Sequence, residues 1–220
     1  MPLEVLEAQT GDNPVATILI MHGLGADGRD FVPIAEQLNL SSVGPVRFLF
    51  PSAPSIPVTI NGGYVMPAWY DLLGADLVSR QDEAGLRKSQ VDIEALIAHE
   101  TSRGIPASRI VIAGFSQGCA MALMTGLRHR ERLAGIAGLS GYLPLADKTA
   151  GERSAANRDV PIFLAHGTYD GVVVLPRASA TRDALTAMGY PVEWHEYPME
   201  HSVCPQEIVD LEKWLLKVLA

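Results

Sequence analysis

Arg109-Ile110-Val111-Ile112-Ala113-Gly114-Phe115-Ser116-Gln117-Gly118-Cys119-Ala120-Met121-Ala122-Leu123-Met124-Thr125-Gly126 joins a β-branched apolar run, a Gly-x-Ser-x-Gly turn and a helix-forming apolar stretch. The order reads strand, sharp turn, helix. Ile110, Val111 and Ile112 suit a buried parallel strand, and Ala120, Met121, Leu123 and Met124 suit a helix covered on most sides. Gly114 and Gly118 let the chain turn tightly around Ser116 and let neighbouring backbone pass close to it. This is the nucleophile-elbow pattern, which lifts a serine hydroxyl above the carboxyl edge of a sheet, beside the first free N–H groups of a helix.

Outward from this stretch, apolar runs alternate with helical patterns. Leu3 to Ala8 reads as an edge strand, and Ala16 to Met21 as a central strand ending in His22-Gly23-Leu24-Gly25. Asp30 stands where it would cap a helix carrying Phe31, Ile34, Ala35 and Leu38. After the strand Val46 to Phe50, residues 51–71 hold four prolines and Gly62-Gly63 and read as a long loop. Asp82 to Arg103 has helical spacing, with Leu86, Ile93, Leu96 and Ile97 on one side and Lys88, Asp92, Glu94 and Glu100 elsewhere.

Further strands are expected at Leu133 to Ser140, Val160 to Ala165 and Val192 to Tyr197, with a polar connection over 141–158 and helices at Pro176 to Met188 and from Pro205 onward. The pattern predicts an α/β fold: one domain over 1–220, with a mostly parallel sheet flanked by helices on both faces. Loops that follow strands, at 22–25, 114–118, 166–172 and 198–204, should then converge on the carboxyl edge where such sheets bind ligands.

A chain of 220 residues can bury roughly 70% of its unfolded surface. A net charge of −8 with scattered basic residues disfavours nucleic acid or an anionic membrane as partner. Two cysteines, Cys119 and Cys204, give no disulfide framework, the first residues are acidic where a signal peptide would be basic, and no apolar run approaches the ~18 residues of a membrane span. A cytoplasmic protein without integral membrane association is the expectation.

A serine hydroxyl needs a base to take its proton and an acid to hold that base in one tautomer. On this fold class the order is Ser, then Asp or Glu, then His. Asp170 and His201 each fall in a loop that follows a strand, whereas Asp147 and Asp159 do not and His195 falls within a strand. Ser116 is therefore expected as nucleophile, His201 as base and then acid, and Asp170 as the orienting carboxylate. The oxyanion donors are expected to be the backbone N–H of Gln117 and one from the His22-Gly23-Leu24-Gly25 turn, with His22 bracing that turn. Ile60, Tyr64, Met66 and Trp69 from the 51–71 loop, with Val172 and Val173 after Asp170, are expected to wall a substrate pocket.

His22-Gly23-Leu24-Gly25-Ala26-Asp27, Gly114-Phe115-Ser116-Gln117-Gly118, His166-Gly167-Thr168-Tyr169-Asp170 and the His201 loop together resemble the carboxylesterase and acyl-protein thioesterase family of α/β-hydrolases. Thr59-Ile60-Asn61-Gly62-Gly63-Tyr64 and Trp69-Tyr70-Asp71 look most like its bacterial carboxylesterase branch. The resemblance implies the α/β-hydrolase fold and hydrolysis of a small-molecule ester or acyl substrate without cofactor or metal, with Leu24 and Gln117 as oxyanion donors. It leaves acyl-protein thioesterase or lysophospholipase activity on long chains as the alternative to a carboxylesterase, and it allows a homodimer. Two positions depart from the family. Glu200 replaces the usual glycine before the histidine and is expected to make His201 more basic, and Cys119 follows Gly118 where glycine is usual. Two rivals fit the sequence less well: a metal hydrolase built on His22, His166, Asp170 and His201, which lacks a close-spaced ligand pair, and a binding protein on the same scaffold, which would have lost a member of the triad.

Overall fold

The computed structural model describes residues 3–74 and 80–220. Its strands are β1 (Glu4–Gln9), β2 (Ala16–Met21), β3 (Val46–Ser52), β4 (Ser55–Val58), β5 (Tyr64–Pro67), β6 (Ile110–Phe115), β7 (Gly135–Leu139), β8 (Ile162–Gly167) and β9 (Val192–Tyr197). The helices are α1 (Val32–Ala35), α2 (Glu83–Ser102), α3 (Gln117–Gly126), α4 (Ala146–Glu152), α5 (Leu175–Ala187) and α6 (Pro205–Val218). The main sheet runs β1-β3-β2-β6-β7-β8-β9, and all its pairings are parallel except that of β1 with β3.

Alternation along the central strands divides the core in two. Leu19 and Met21 of β2, with Ile110 and Ile112 of β6, pack against Leu86, Ile93 and Ile97 of α2 and the fully buried α3. Ile18, Ile20, Val111 and Ala113 face the other way, onto Phe31, Ala35 and the Ile208, Leu211 and Trp214 stripe of α6. A strand buried on both faces has no polar side to show, which is why β2 and β6 read as unbroken apolar runs. Register places Met21 beside Gly114 and Phe115 beside Leu139, so the ends of β2, β6 and β7 share one edge.

Three sequence expectations change. Residues 51–71 are not a structureless loop: β4 and β5 pair antiparallel as a separate ribbon, because a two-stranded ribbon leaves one side of each strand outside the ladder, where Pro57 and Pro67 are tolerated. The polar connection 141–158 contains α4 and a 3-10 turn at Ala155–Asn157. The cap expected of Asp30 is made by Asp27, whose side chain accepts from the Arg29 N–H ahead of a 3-10 turn at Gly28–Phe31 and the one-turn α1.

Candidate active site

Ser116 stands between β6 and α3 at φ 55° and ψ −116°, a conformation that costs a non-glycine residue about 1–3 kcal/mol and is held by the elements on either side. The two flanking glycines permit it by close approach. A Cβ on Gly118 would lie 2.1 Å from the Met21 carbonyl oxygen, and one on Gly114 would lie 2.2 Å from the Gly118 backbone. Strand β2 and helix α3 can therefore approach backbone to backbone, which fixes the hydroxyl against the β2 turn.

His201, in the loop between β9 and α6, has its Nε2 3.0 Å from Ser116 Oγ and its Nδ1 2.7 Å from Asp170 Oδ2. A carboxylate only accepts, so Nδ1–H donates to Asp170 and the lone pair of Nε2 faces the serine hydroxyl. Asp170 has no exposed side-chain surface and is pinned by the N–H groups of Val172 (2.8 Å) and Val173 (2.9 Å) on Oδ1. His166 lies behind it. Its Nε2–H donates to the Val173 carbonyl at 2.6 Å and stands 3.4 Å from Asp170 Oδ2, while burial holds its pKa below the ordinary value.

His22 braces the neighbouring turn. Its Nδ1–H donates to the Gly23 carbonyl (2.7 Å), its Nε2 accepts from the Ala53 N–H (2.9 Å), and burial lowers its pKa, so the ring is neutral with both nitrogens in use. The N–H groups of Leu24 and Gln117 have no hydrogen-bond partner among the described residues. The Gln117 side chain is spent on the scaffold, accepting from the Trp69 N–H and donating to the Tyr70 carbonyl, both at 3.0 Å.

An apolar cavity of about 290 Å³ opens beside Ser116 and His201, lined among others by Leu24, Leu72, Phe115, Tyr142, Val172 and Val173. Ile60, Tyr64, Met66 and Trp69, expected on its wall, do not line it. Ile60 and Tyr64 are exposed on the β4–β5 ribbon, Met66 is half-buried there, and Trp69 is buried under the His22 turn, donating Nε1–H to the His22 carbonyl at 2.9 Å. A tryptophan indole needs an acceptor when buried, and the turn supplies it. Tyr142 and Asp30 also line the cavity, a role the sequence pattern does not assign them; for Tyr142 the available signal is Ser140-Gly141 directly after a strand at the same sheet edge.

A larger cavity of about 670 Å³ lies at the amino ends of β7, β8 and β9, lined by Arg132, Pro161 and Trp214 among others and by no histidine. Ser116 and His201 line the smaller one. Glu200, beside His201 in the sequence, is exposed and makes no ion pair among the described residues. The Cys119 thiol is buried and pushed up to about 12 by desolvation, an inert packing group. Among the described residues no group of three or more His, Cys, Asp or Glu converges as a metal site, and no helix is long and apolar enough to cross a membrane.

Residues 4–219 match the family model described as Phospholipase/Carboxylesterase. The chain belongs to that family. It is 42% identical to acyl-protein thioesterase 1 of Yarrowia lipolytica over 205 residues, 91% of this chain and 90% of that protein. Its fold is similar to the crystal structures of Arabidopsis thaliana SOBER1 (TM-score 0.88, 32% identity, covering 93% of this chain and 99% of that one) and of Zea mays acyl-protein thioesterase 2 (TM-score 0.87, 29% identity, 99% of each). This phospholipase/carboxylesterase-family member is thus a hydrolase of the esterase and thioesterase class on an α/β-hydrolase fold.

Proposed function

We propose that this hydrolase cleaves acyl thioesters and esters through a covalent acyl-enzyme on Ser116, with acylated proteins as the substrate class. The hydrogen-bonded run Ser116–His201–Asp170, 3.0 Å and 2.7 Å, at the mouth of an apolar cavity carries the reading. Ser116 Oγ attacks the acyl carbon as its proton passes to His201 Nε2, and Asp170 balances the imidazolium that forms. The N–H groups of Leu24 and Gln117 receive the oxyanion, each worth roughly 10²–10³ in rate. Collapse of the intermediate breaks the bond to the thiol or alcohol, which leaves with the proton from His201. Water, deprotonated by His201, then attacks the acyl-enzyme; the acid departs and Ser116 regains its proton.

Similarity to proteins named acyl-protein thioesterase 1, such as that of Yarrowia lipolytica, supports a protein thioester over a small oxygen ester, and the formal charge of −8 favours neutral or basic peptides over strongly anionic ones. The test is kcat/KM for paired S-acyl and O-acyl peptides and simple esters, with Ser116→Ala as control. Preference for S-acyl peptides, abolished in Ser116→Ala, is expected. Preference for short simple oxygen esters would return the protein to the general carboxylesterases, and activity that survives Ser116→Ala would end the serine mechanism.

A further inference from the structure

Tyr70, Leu72 and Tyr142 line both the cavity beside Ser116 and a second space of about 10 Å³, which Asp71, Arg80 and Asp82 line as well. These shared residues form a partition between an apolar cavity and a small space lined by charged groups. We propose that this partition ends the acyl pocket and sets the length of acyl chain the enzyme accepts. The inference rests on the acyl-enzyme reading given above and adds to it a pocket of bounded depth.

Four features make the partition stiff. The phenol oxygens of Tyr70 and Tyr142 are 2.8 Å apart and hydrogen-bonded in a buried setting. Tyr70 is tied to the elbow through its own carbonyl, which accepts from the Gln117 side chain, and Ser89 of α2 donates to the neighbouring Trp69 carbonyl. The Tyr142 ring lies under the Arg177 guanidinium at 5.8 Å. The next residue, Leu143, donates its N–H to Thr181 Oγ1 at 2.9 Å, so the segment is held from α5 as well. A chain terminus that pushed past would separate a buried hydrogen-bonded pair and bring its methyl group against Asp71, Arg80 and Asp82, both unfavourable.

The test is the acyl-length series, from about two to about sixteen carbons, on wild type, Tyr142→Ala, Leu72→Ala and Tyr142→Phe, with thermal unfolding recorded for each. For wild type, kcat/KM should rise by up to about fourfold per methylene and stop at a length short of the end of the series. In Tyr142→Ala the long-to-short ratio of kcat/KM should rise by at least about tenfold, since two further methylenes at that increment suffice. Leu72→Ala, a half-buried position, opens the same partition if Tyr142→Ala fails to fold. Tyr142→Phe keeps the ring and loses the phenol hydrogen bond, so its maximum should fall between those of wild type and Tyr142→Ala. A wild-type rise that continues to the longest chain, or a maximum unmoved in the folded alanine variants, overturns the partition and leaves the hydrolase reading standing. Absence of any Ser116-dependent turnover in wild type overturns both.

Discussion

Asp170 divides its two carboxylate oxygens between the loop backbone and His201. Oδ1 takes two backbone N–H groups from Val172 and Val173, and Oδ2 takes Nδ1–H of His201. Asparagine would keep the first pair of bonds through its carbonyl oxygen and present an amide N–H to His201, which favours the tautomer with the proton on Nε2, where it cannot receive the serine proton. Asp170→Asn is therefore expected to lower kcat by about 10⁴. Steady-state kinetics with a denaturation curve checks this: a normal curve with a loss near 10⁴ is the expected outcome, and a loss under about tenfold would remove Asp170 from the mechanism. The residues of this run could be named from the sequence because each stands where a strand ends and a loop begins. The cavity wall could not, because aromatic residues in a loop look alike until packing decides which is buried. Trp69 lies under the His22 turn, Tyr64 is in solvent and Tyr142 faces the cavity.

Helices α2 and α6 each bury an acid on the side that packs against the core. Glu100 accepts from Thr17 of β2 (2.6 Å), Arg47 of β3 (2.8 Å) and Arg103 (3.0 Å), with the side chains of Glu100 and Arg47 both buried. Spacing puts Glu100 seven residues after Ile93 and three after Ile97, on the buried side of α2, and only its charge makes it read as solvated; the partner that lets it be buried lies 53 positions away, beyond the reach of any local pattern. Removing one member of a buried pair leaves the other uncompensated, so Glu100→Ala should cost about 3–5 kcal/mol in urea unfolding. A cost below ~1 kcal/mol would mean that water reaches Arg47.

Glu207, in the first turn of α6, is fully buried, and its carboxylate oxygens have no hydrogen-bond partner among the described residues; desolvation pushes its pKa up to about 8 from the ordinary 4.5. The folded protein then holds a proton that the unfolded chain has lost, so stability falls as pH rises between 4.5 and 8 and levels off above. Glu207→Gln should remove that slope, gaining on the order of a few kcal/mol at pH 8.5 and little at pH 4. Melting temperatures of the two proteins across that range decide it, and parallel curves would show that Glu207 is hydrated.

At the scale of the whole molecule, a mostly parallel sheet and the convergence of the strand-following loops on one edge followed from alternation of apolar strands with helices, because a crossover rule leaves few ways to lay such a chain down. The separate β4–β5 ribbon escaped that logic: it belongs to neither face of the main sheet, and its prolines signal only that a helix is absent. The charge of the molecule is a property of the whole chain as well. With −8 distributed over one domain-sized surface, and Asp30 on the lining of the cavity, the field at the site should repel anionic substrates and draw cationic ones. At ~0.01 M salt that field reaches about 30 Å, and at 0.15 M about 8 Å. Raising the salt should therefore increase kcat/KM for an acyl peptide carrying acidic residues, decrease it for the same peptide carrying lysines, and leave a neutral ester unchanged. Opposite slopes for the two peptides are the expected result. Identical slopes would mean that the net charge does not set the field at the site, and substrate selection would then rest on the acyl pocket alone.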